Sequence, residues 1–168
     1  MKIGIVSDTH DNIEKAKKAA DFFERKEIEE VVHCGDIIAP FTAEIFDRDF
    51  NFYYVRGNND GEWNLKQTIE EFGHFHNNIA ELEFDGETFA VYHGTEEEIV
   101  EALVRSDNYD YVLRGHTHRR KRRDYDASAE INPGGIKLPE QKEKFSVAVL
   151  ETRTGEVRFF MEDEMREK

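Results

Sequence analysis

Five short segments carry side chains whose types and spacing suit a metal site: Asp8-Thr9-His10, Gly35-Asp36, Gly57-Asn58-Asn59-Asp60, Tyr92-His93-Gly94 and Gly115-His116-Thr117-His118. Singly, each is a weak signal. An aspartate two residues before a histidine is commonly a turn beside a surface imidazole, Asp36 after a glycine suits a turn, and a lone His93 suits a packed interior. Together they supply aspartates, imidazoles and an asparagine, all where strands are predicted to end. Alternate residues of an extended segment point to the same side, so Asp8 and His10 can grip one ion together. Mixed imidazole and carboxylate donors suit Mn, Fe or Zn, whereas calcium and magnesium prefer all-oxygen shells. Glycines at 35, 57, 94 and 115 let the backbone turn tightly and let ions and substrate approach closely.

The elements that must position these side chains are legible from periodicity. Lys2 to Val6 reads as a buried strand running into the loop Ser7 to Asn12. Apolar residues at Ile13, Ala16, Ala19, Ala20 and Phe23 predict a helix to about Arg25, with Asp11 or Asn12 as its N-cap. Val31 to Cys34 is a second strand, a short helix near Thr42 to Phe46 follows, and Phe52 to Val55 is a third strand. A helix is predicted around Trp63 to Phe72. Ile79 to Phe84 and Thr88 to Tyr92, joined by Asp85-Gly86, read as a β-hairpin. Glu96 to Val104 reads as helix, Tyr111 to Leu113 as strand, and the rest as β structure broken at Pro133-Gly134-Gly135 and Thr154-Gly155. The fold class expected is α/β: a four-layer-like sandwich of two mixed β-sheets flanked by helices, with the metal site at strand ends, where open α/β sheets place their ligands.

The length, 168 residues, suits a single domain over 1–168, with residues 161–168 expected to fray. A chain of this size buries enough surface to fold without a disulfide or a structural metal. Its one cysteine, Cys34, excludes an internal disulfide and fits a reducing cytoplasm. The first apolar run is too short for a signal peptide or a membrane span. A formal net charge of −14 argues against binding nucleic acid with the whole surface.

The order D-x-H, G-D, G-N-x-D, H-G, G-H-x-H resembles the signature of calcineurin-like metallophosphoesterases over Asp8 to His118. The short chain and the Asn132-Pro133-Gly134 turn are similar to the small prokaryotic phosphodiesterase branch. The resemblance implies two divalent ions, with Asp8, His10 and His118 on one, Asn58, His93 and His116 on the other, and Asp36 bridging. Manganese leads, with Fe, Ni or Zn accommodated by the same ligands. The activity implied is phosphodiester cleavage by attack of a hydroxide held on the two-metal centre. Phosphomonoester hydrolysis of nucleotides or phosphoproteins is the narrower enzymatic alternative. A eukaryotic trafficking subunit resembles this fold yet acts as a binding scaffold, which makes a non-catalytic scaffold the third reading.

Two departures from the family pattern bear on chemistry. Many members carry histidine at the position of Asn59, where it contacts the phosphoryl oxygen and helps protonate the leaving group. An amide can donate a hydrogen bond there but supplies no proton. Asn59 and Asp60 are therefore the catalytic candidates, with Asp60 expected to orient the Asn59 amide, and phosphodiesters or esters with acidic leaving groups the expected substrates. Thr95 stands where a histidine often follows H-G. The basic run Arg119 to Arg123 reads either as a charged edge strand or as a collar that steers a small phosphate ester through Arg119, Lys121 and Arg123. Nucleic acid through the same run ranks below a small ester because of the global acidity, no membrane partner is expected, and a homo-oligomer is compatible with the sequence. His33 and Cys34 are read as packed strand residues, and His74 and His76 lack the carboxylates a further metal site needs.

Overall fold

The structure, a computed structural model, describes residues 1–136 and 144–165. Strand β1 (Lys2–Val6) leads through the Ser7 to Asn12 loop into helix α1 (Ile13–Arg25), whose N-cap is Asn12, accepting a hydrogen bond from the Lys15 backbone N–H. The predicted apolar face of α1 is buried, and Phe22 joins it by packing on Phe160, ring centroids 4.8 Å apart. Then follow β2 (Glu30–His33), α2 (Pro40–Ala43) with a 3₁₀ turn over Glu44–Phe46, β3 (Asn51–Val55), α3 (Leu65–Glu70) and β4 (Gly73–His76). The hairpin is β5 (Ile79–Phe84) and β6 (Glu87–Tyr92). After α4 (Glu97–Val104) come β7 (Tyr111–Leu113), β8 (Lys121–Asp124), β9 (Ala129–Asn132), β10 (Ser146–Glu151) and β11 (Glu156–Met161).

Two mixed sheets result. One is six-stranded in the order β11-β10-β1-β2-β3-β4, the other five-stranded in the order β5-β6-β7-β9-β8. Period-two alternation divides the strands between two cores. Ile3, Ile5, Val32 and Val55 face the second sheet, where they meet Phe89, Val91, Leu113 and Ile131. Val6, Val31, Phe52 and Tyr54 face the helices, against Ala16, Ala20, Phe23, Leu65 and Ile69. A smaller cluster seals α4 to the outer face of the second sheet through Val104, Ala90 and Val112. The layers run helix, sheet, sheet, helix. Among the described residues no helix is long and apolar enough to cross a membrane.

Three local expectations are corrected. The helix predicted over Trp63 to Phe72 is confined to Leu65–Glu70, because Gly73 opens β4, which extends the sheet beyond β3 and stacks His74 on Tyr53 at 5.0 Å. Fraying from residue 161 is not observed through residue 165. Met161 belongs to β11, Met165 is 2% exposed in the helix-side core, and its carbonyl accepts a hydrogen bond from Arg25. Residues 166–168 of that expectation lie outside the described residues. Finally, the extended run expected over Arg119 to Arg123 is a strand only from Lys121, so alternation joins Lys121 to Arg123 but does not place Arg119. Arg119 precedes β8, Lys121 donates to Glu130, and the Arg123 guanidinium lies 4.8 Å over the Tyr125 ring. β8 is itself the charged edge strand of the second sheet.

Candidate metal centre

All five motif segments leave the C-terminal ends of parallel strands. Asp8 and His10 follow β1, Asp36 follows β2 and Asn58 follows β3, while His93 follows β6 and His116 and His118 follow β7. Two sheets facing each other thus empty their strand ends into one place. The turns are sharp. Asp8, His10, Asp36, His116 and His118 all have positive φ, between 41° and 67°, a conformation that costs about 1–3 kcal/mol per residue and persists only where the surroundings enforce it. Gly57 and Gly115 are required by close approach: a Cβ at Gly57 would lie 2.2 Å from Asp36 Oδ1, and one at Gly115 would lie 1.9 Å from Ser7 Oγ.

The ligating atoms converge. His118 Nε2 is 3.3 Å from Asp8 Oδ1, and His10 Nε2 is 3.8 Å from the same oxygen and 3.4 Å from Asp36 Oδ2. His93 Nε2 is 3.3 Å from Asp36 Oδ2. Asn58 Oδ1 stands 3.0 Å from both His93 Nε2 and His116 Nδ1. Asp36 therefore lies between the Asp8/His10/His118 group and the Asn58/His93/His116 group.

The outer contacts orient the donors. His93 Nδ1 donates to the Cys34 carbonyl at 2.7 Å and His118 Nδ1 to the Ile136 carbonyl at 2.8 Å, which leaves each Nε2 a lone pair directed into the site. In His93 that lone pair confronts an amide oxygen and a carboxylate oxygen, an arrangement that needs a positive charge between them. Asp8 Oδ1 and His10 Nε2 are buried without a hydrogen-bond partner. Buried acceptors are rarely left so, and together with the mixed nitrogen and oxygen donors they fit divalent ions.

The titration of the same groups reports the same concentration of negative charge. Burial lowers the pKa of His10 and of His93, yet both end up raised, His10 mainly by its contact with Asp8 and His93 mainly by its contact with Asp36. Burial acts on Asp36 in the opposite sense and is outweighed by His93 and Asn59, so its pKa is lowered. His116 is lowered by burial and by the neighbouring His93.

Asn59 and Asp60 take different positions from those expected. The Asn59 backbone N–H and its side-chain amide both donate to Asp36, each at 2.8 Å, so it is Asp36 that holds Asn59. Asp60, 3% exposed, turns inward and accepts from the backbone N–H groups of Asp36, Ile38 and Gly57 and from the Tyr54 hydroxyl.

Other residues support the ligand loops in ways their sequence positions did not disclose. Asn132 donates to the Gly115 carbonyl, Ile136 N–H donates to the Asp8 carbonyl, and Asp11 fastens Ala39 and Thr42. His33 is fully buried, accepts from the Gly35 N–H and faces Thr9 Oγ1 at 3.3 Å, tying two ligand loops together. Burial pushes its pKa from 6.5 down to about 3. The unfolded chain then takes up a proton that the folded chain refuses. The stability from neutral His33 is complete above pH 6.5 and declines by up to ~1.4 kcal/mol per pH unit towards pH 3. Urea titrations of wild type and His33→Gln over that range should give the shallower decline for the variant; equal slopes would refute it.

Comparisons with known proteins identify the family and the fold. Residues 1–155 match the family model described as the calcineurin-like phosphoesterase superfamily domain. A curated Methanocaldococcus jannaschii protein named a phosphodiesterase is 36% identical over 138 residues, covering 80% of this chain and 83% of that protein. The solved structure of an archaeal phosphodiesterase superposes with a TM-score of 0.89 at 32% identity, covering 96% of this chain and 99% of that one. An Entamoeba histolytica Vps29 variant superposes at a TM-score of 0.68 with 18% identity, covering 95% of this chain and 97% of that one, a likeness of fold alone.

Proposed function

The chain belongs to the calcineurin-like phosphoesterase superfamily, and on that premise we propose that it is a phosphodiesterase working with two divalent ions, of which manganese is the first choice. The observation that carries this reading is a set of acceptor atoms turned towards one another: Asp8 Oδ1 and His10 Nε2, buried without a hydrogen-bond partner, and Asn58 Oδ1 against His93 Nε2 and His116 Nδ1 at the solvent side of the site. Asp8, His10 and His118 would hold one ion and Asn58, His93 and His116 the other, with Asp36 shared. When bound, such ions provide a nucleophilic water at neutral pH and neutralise charge on the phosphoryl oxygens.

What the chain itself contributes follows from its side chains. Asp36, pinned by both donors of Asn59, keeps a fixed orientation between the two groups. Asn59 is exposed beside the site, and a phosphoryl oxygen arriving there can draw its amide away from Asp36. That amide orients the phosphoryl group but supplies no proton to the leaving oxygen. Diesters and esters with acidic leaving groups are accordingly favoured, and alkyl monoesters disfavoured. The scaffold alternative, which the Vps29 likeness keeps in view, has no need of polar atoms buried at such cost.

The test is hydrolysis of bis(p-nitrophenyl) phosphate and p-nitrophenyl phosphate with Mn²⁺, before and after chelation. Faster diester turnover that chelator abolishes supports the proposal; two intact esters with every metal tried would favour the scaffold. Asn59→His probes the missing acid. It should raise turnover of alkyl monoesters by at least about tenfold, a fraction of the ~10²–10⁴-fold worth of general acid catalysis, and change aryl diester turnover little. Equal changes for both substrates would remove the role given to position 59.

A further inference from the structure

The loop that carries His116 and His118 also forms a wall of a second cavity, about 470 Å³ in volume, to which it contributes Thr117. Asn132, on the same wall, donates to both the Gly115 carbonyl and Thr117 Oγ1, so the cavity is fastened to the metal-ligand loop. Four cationic side chains line it, Arg114, Arg119, Arg120 and Lys121, against two carboxylates, Glu97 and Glu130. Four positive charges less two negative leave an excess of +2, on a molecule whose formal charge is −14.

Both carboxylates are already engaged. Glu130, 1% exposed, accepts from Arg114, from Lys121 and from the Tyr125 hydroxyl, and Glu97 accepts from Arg114 at 2.6 Å. These contacts hold two of the cations rigidly at the cavity. Arg119 is exposed at its edge and makes no ion pair among the described residues. A guanidinium beside pre-set cations is suited to a phosphate group, which it can bind through two parallel hydrogen bonds.

We infer that this cavity is a second anion subsite, taking a terminal phosphate that the substrate carries in addition to the scissile diester, with Arg119 as its principal contact. The inference rests on the phosphodiesterase reading and narrows its substrate to a phosphorylated diester, such as a nucleotide ester with a further phosphate on the sugar.

Two chromogenic esters differing by one phosphate test it: p-nitrophenyl thymidine 5′-phosphate, and the same ester with a 3′-phosphate, each assayed with Mn²⁺. In wild type the 3′-phosphate should lower KM by about tenfold, as a charge-assisted guanidinium–phosphate contact would. Arg119→Glu should erase that advantage, so that kcat/KM for the phosphorylated ester falls at least about tenfold further than for the unphosphorylated one. Arg105→Glu, an equal charge change outside the cavity, should keep the advantage. No advantage in wild type, or an undiminished one in Arg119→Glu, overturns the inference. Calorimetry with thymidine 3′,5′-bisphosphate and thymidine 5′-phosphate reads the cavity without turnover. If neither ester is cleaved yet the bisphosphate binds about tenfold tighter to wild type and not to Arg119→Glu, the hydrolytic reading fails and the subsite stands.

Discussion

Asp36→Asn should lower diester turnover in Mn²⁺ by more than about 100-fold, beyond what outer contacts of a metal site ordinarily contribute. Asp36 is 1% exposed and its Oδ2 lies 3.4 Å from His10 Nε2 and 3.3 Å from His93 Nε2, so its carboxylate stands between the two ligand groups. Asparagine preserves the shape and one acceptor but not the charge. Two cations bound as proposed would then lose the anion between them, and affinity for at least one should fall. The fold should survive, because the loop around position 36 is secured by Asp60 through backbone groups that the substitution leaves in place. Metal content after dialysis, turnover and thermal unfolding read these consequences separately. A variant that kept two ions per chain and at least a third of wild-type turnover would refute the bridging role.

Asp60→Ala carries the largest expected effect on stability. The Asp60 carboxylate accepts from three backbone N–H groups, at 3.0 Å from Asp36, 2.8 Å from Ile38 and 2.6 Å from Gly57, and from the Tyr54 hydroxyl. Each buried donor left without an acceptor costs about 1–3 kcal/mol, so the loss should exceed ~3 kcal/mol even if water satisfies some of them. Tyr54 makes relief difficult, since it is fully buried among Phe52 and Phe75 and has no route to solvent for its hydroxyl. Activity should fall too, because Asp60 sets the backbone of the segments bearing Asp36 and Asn58. Urea unfolding decides the matter: a change below about 1 kcal/mol would mean that the carboxylate is not the bracket its contacts describe. Tyr54→Phe removes one of the donors, and its destabilisation should be the smaller.

Two effects identified from the sequence were assigned to the wrong partner for a common reason. Asp60 was expected to orient Asn59, its neighbour in the chain, yet it serves backbone groups of a loop 22 to 24 residues away. The alternation argument grouped Arg119 with Lys121 and Arg123, but the strand begins only at Lys121, so alternation holds for Lys121 and Arg123 and does not place Arg119. Hydrogen bonds are decided by distance in space, and neighbours in sequence are poor evidence of it. Position 165 gives a third case: a charged tail reads as frayed, but Met165 packs in the helix-side core and its carbonyl is held by Arg25.

The residue types and order of the metal-capable segments, the strands that deliver them, the hairpin and the amphipathic face of α1 were legible without coordinates. Each depends on a local pattern: side-chain periodicity, turn residues and donor chemistry. The two-sheet α/β architecture was legible too, from the alternation of elements and from the family resemblance that the ligand order carries. Only the tertiary structure decided which groups face one another. It brought Asp8, from the first sheet, to His118, from the second, and it buried His33, Tyr54 and Asp60 as braces. It also formed a cationic cavity from side chains of β8, β9, α4 and the ligand loop after β7. A chain declares its donors one by one, but burial and mutual distance belong to the packed whole, and these govern the charge a site can hold.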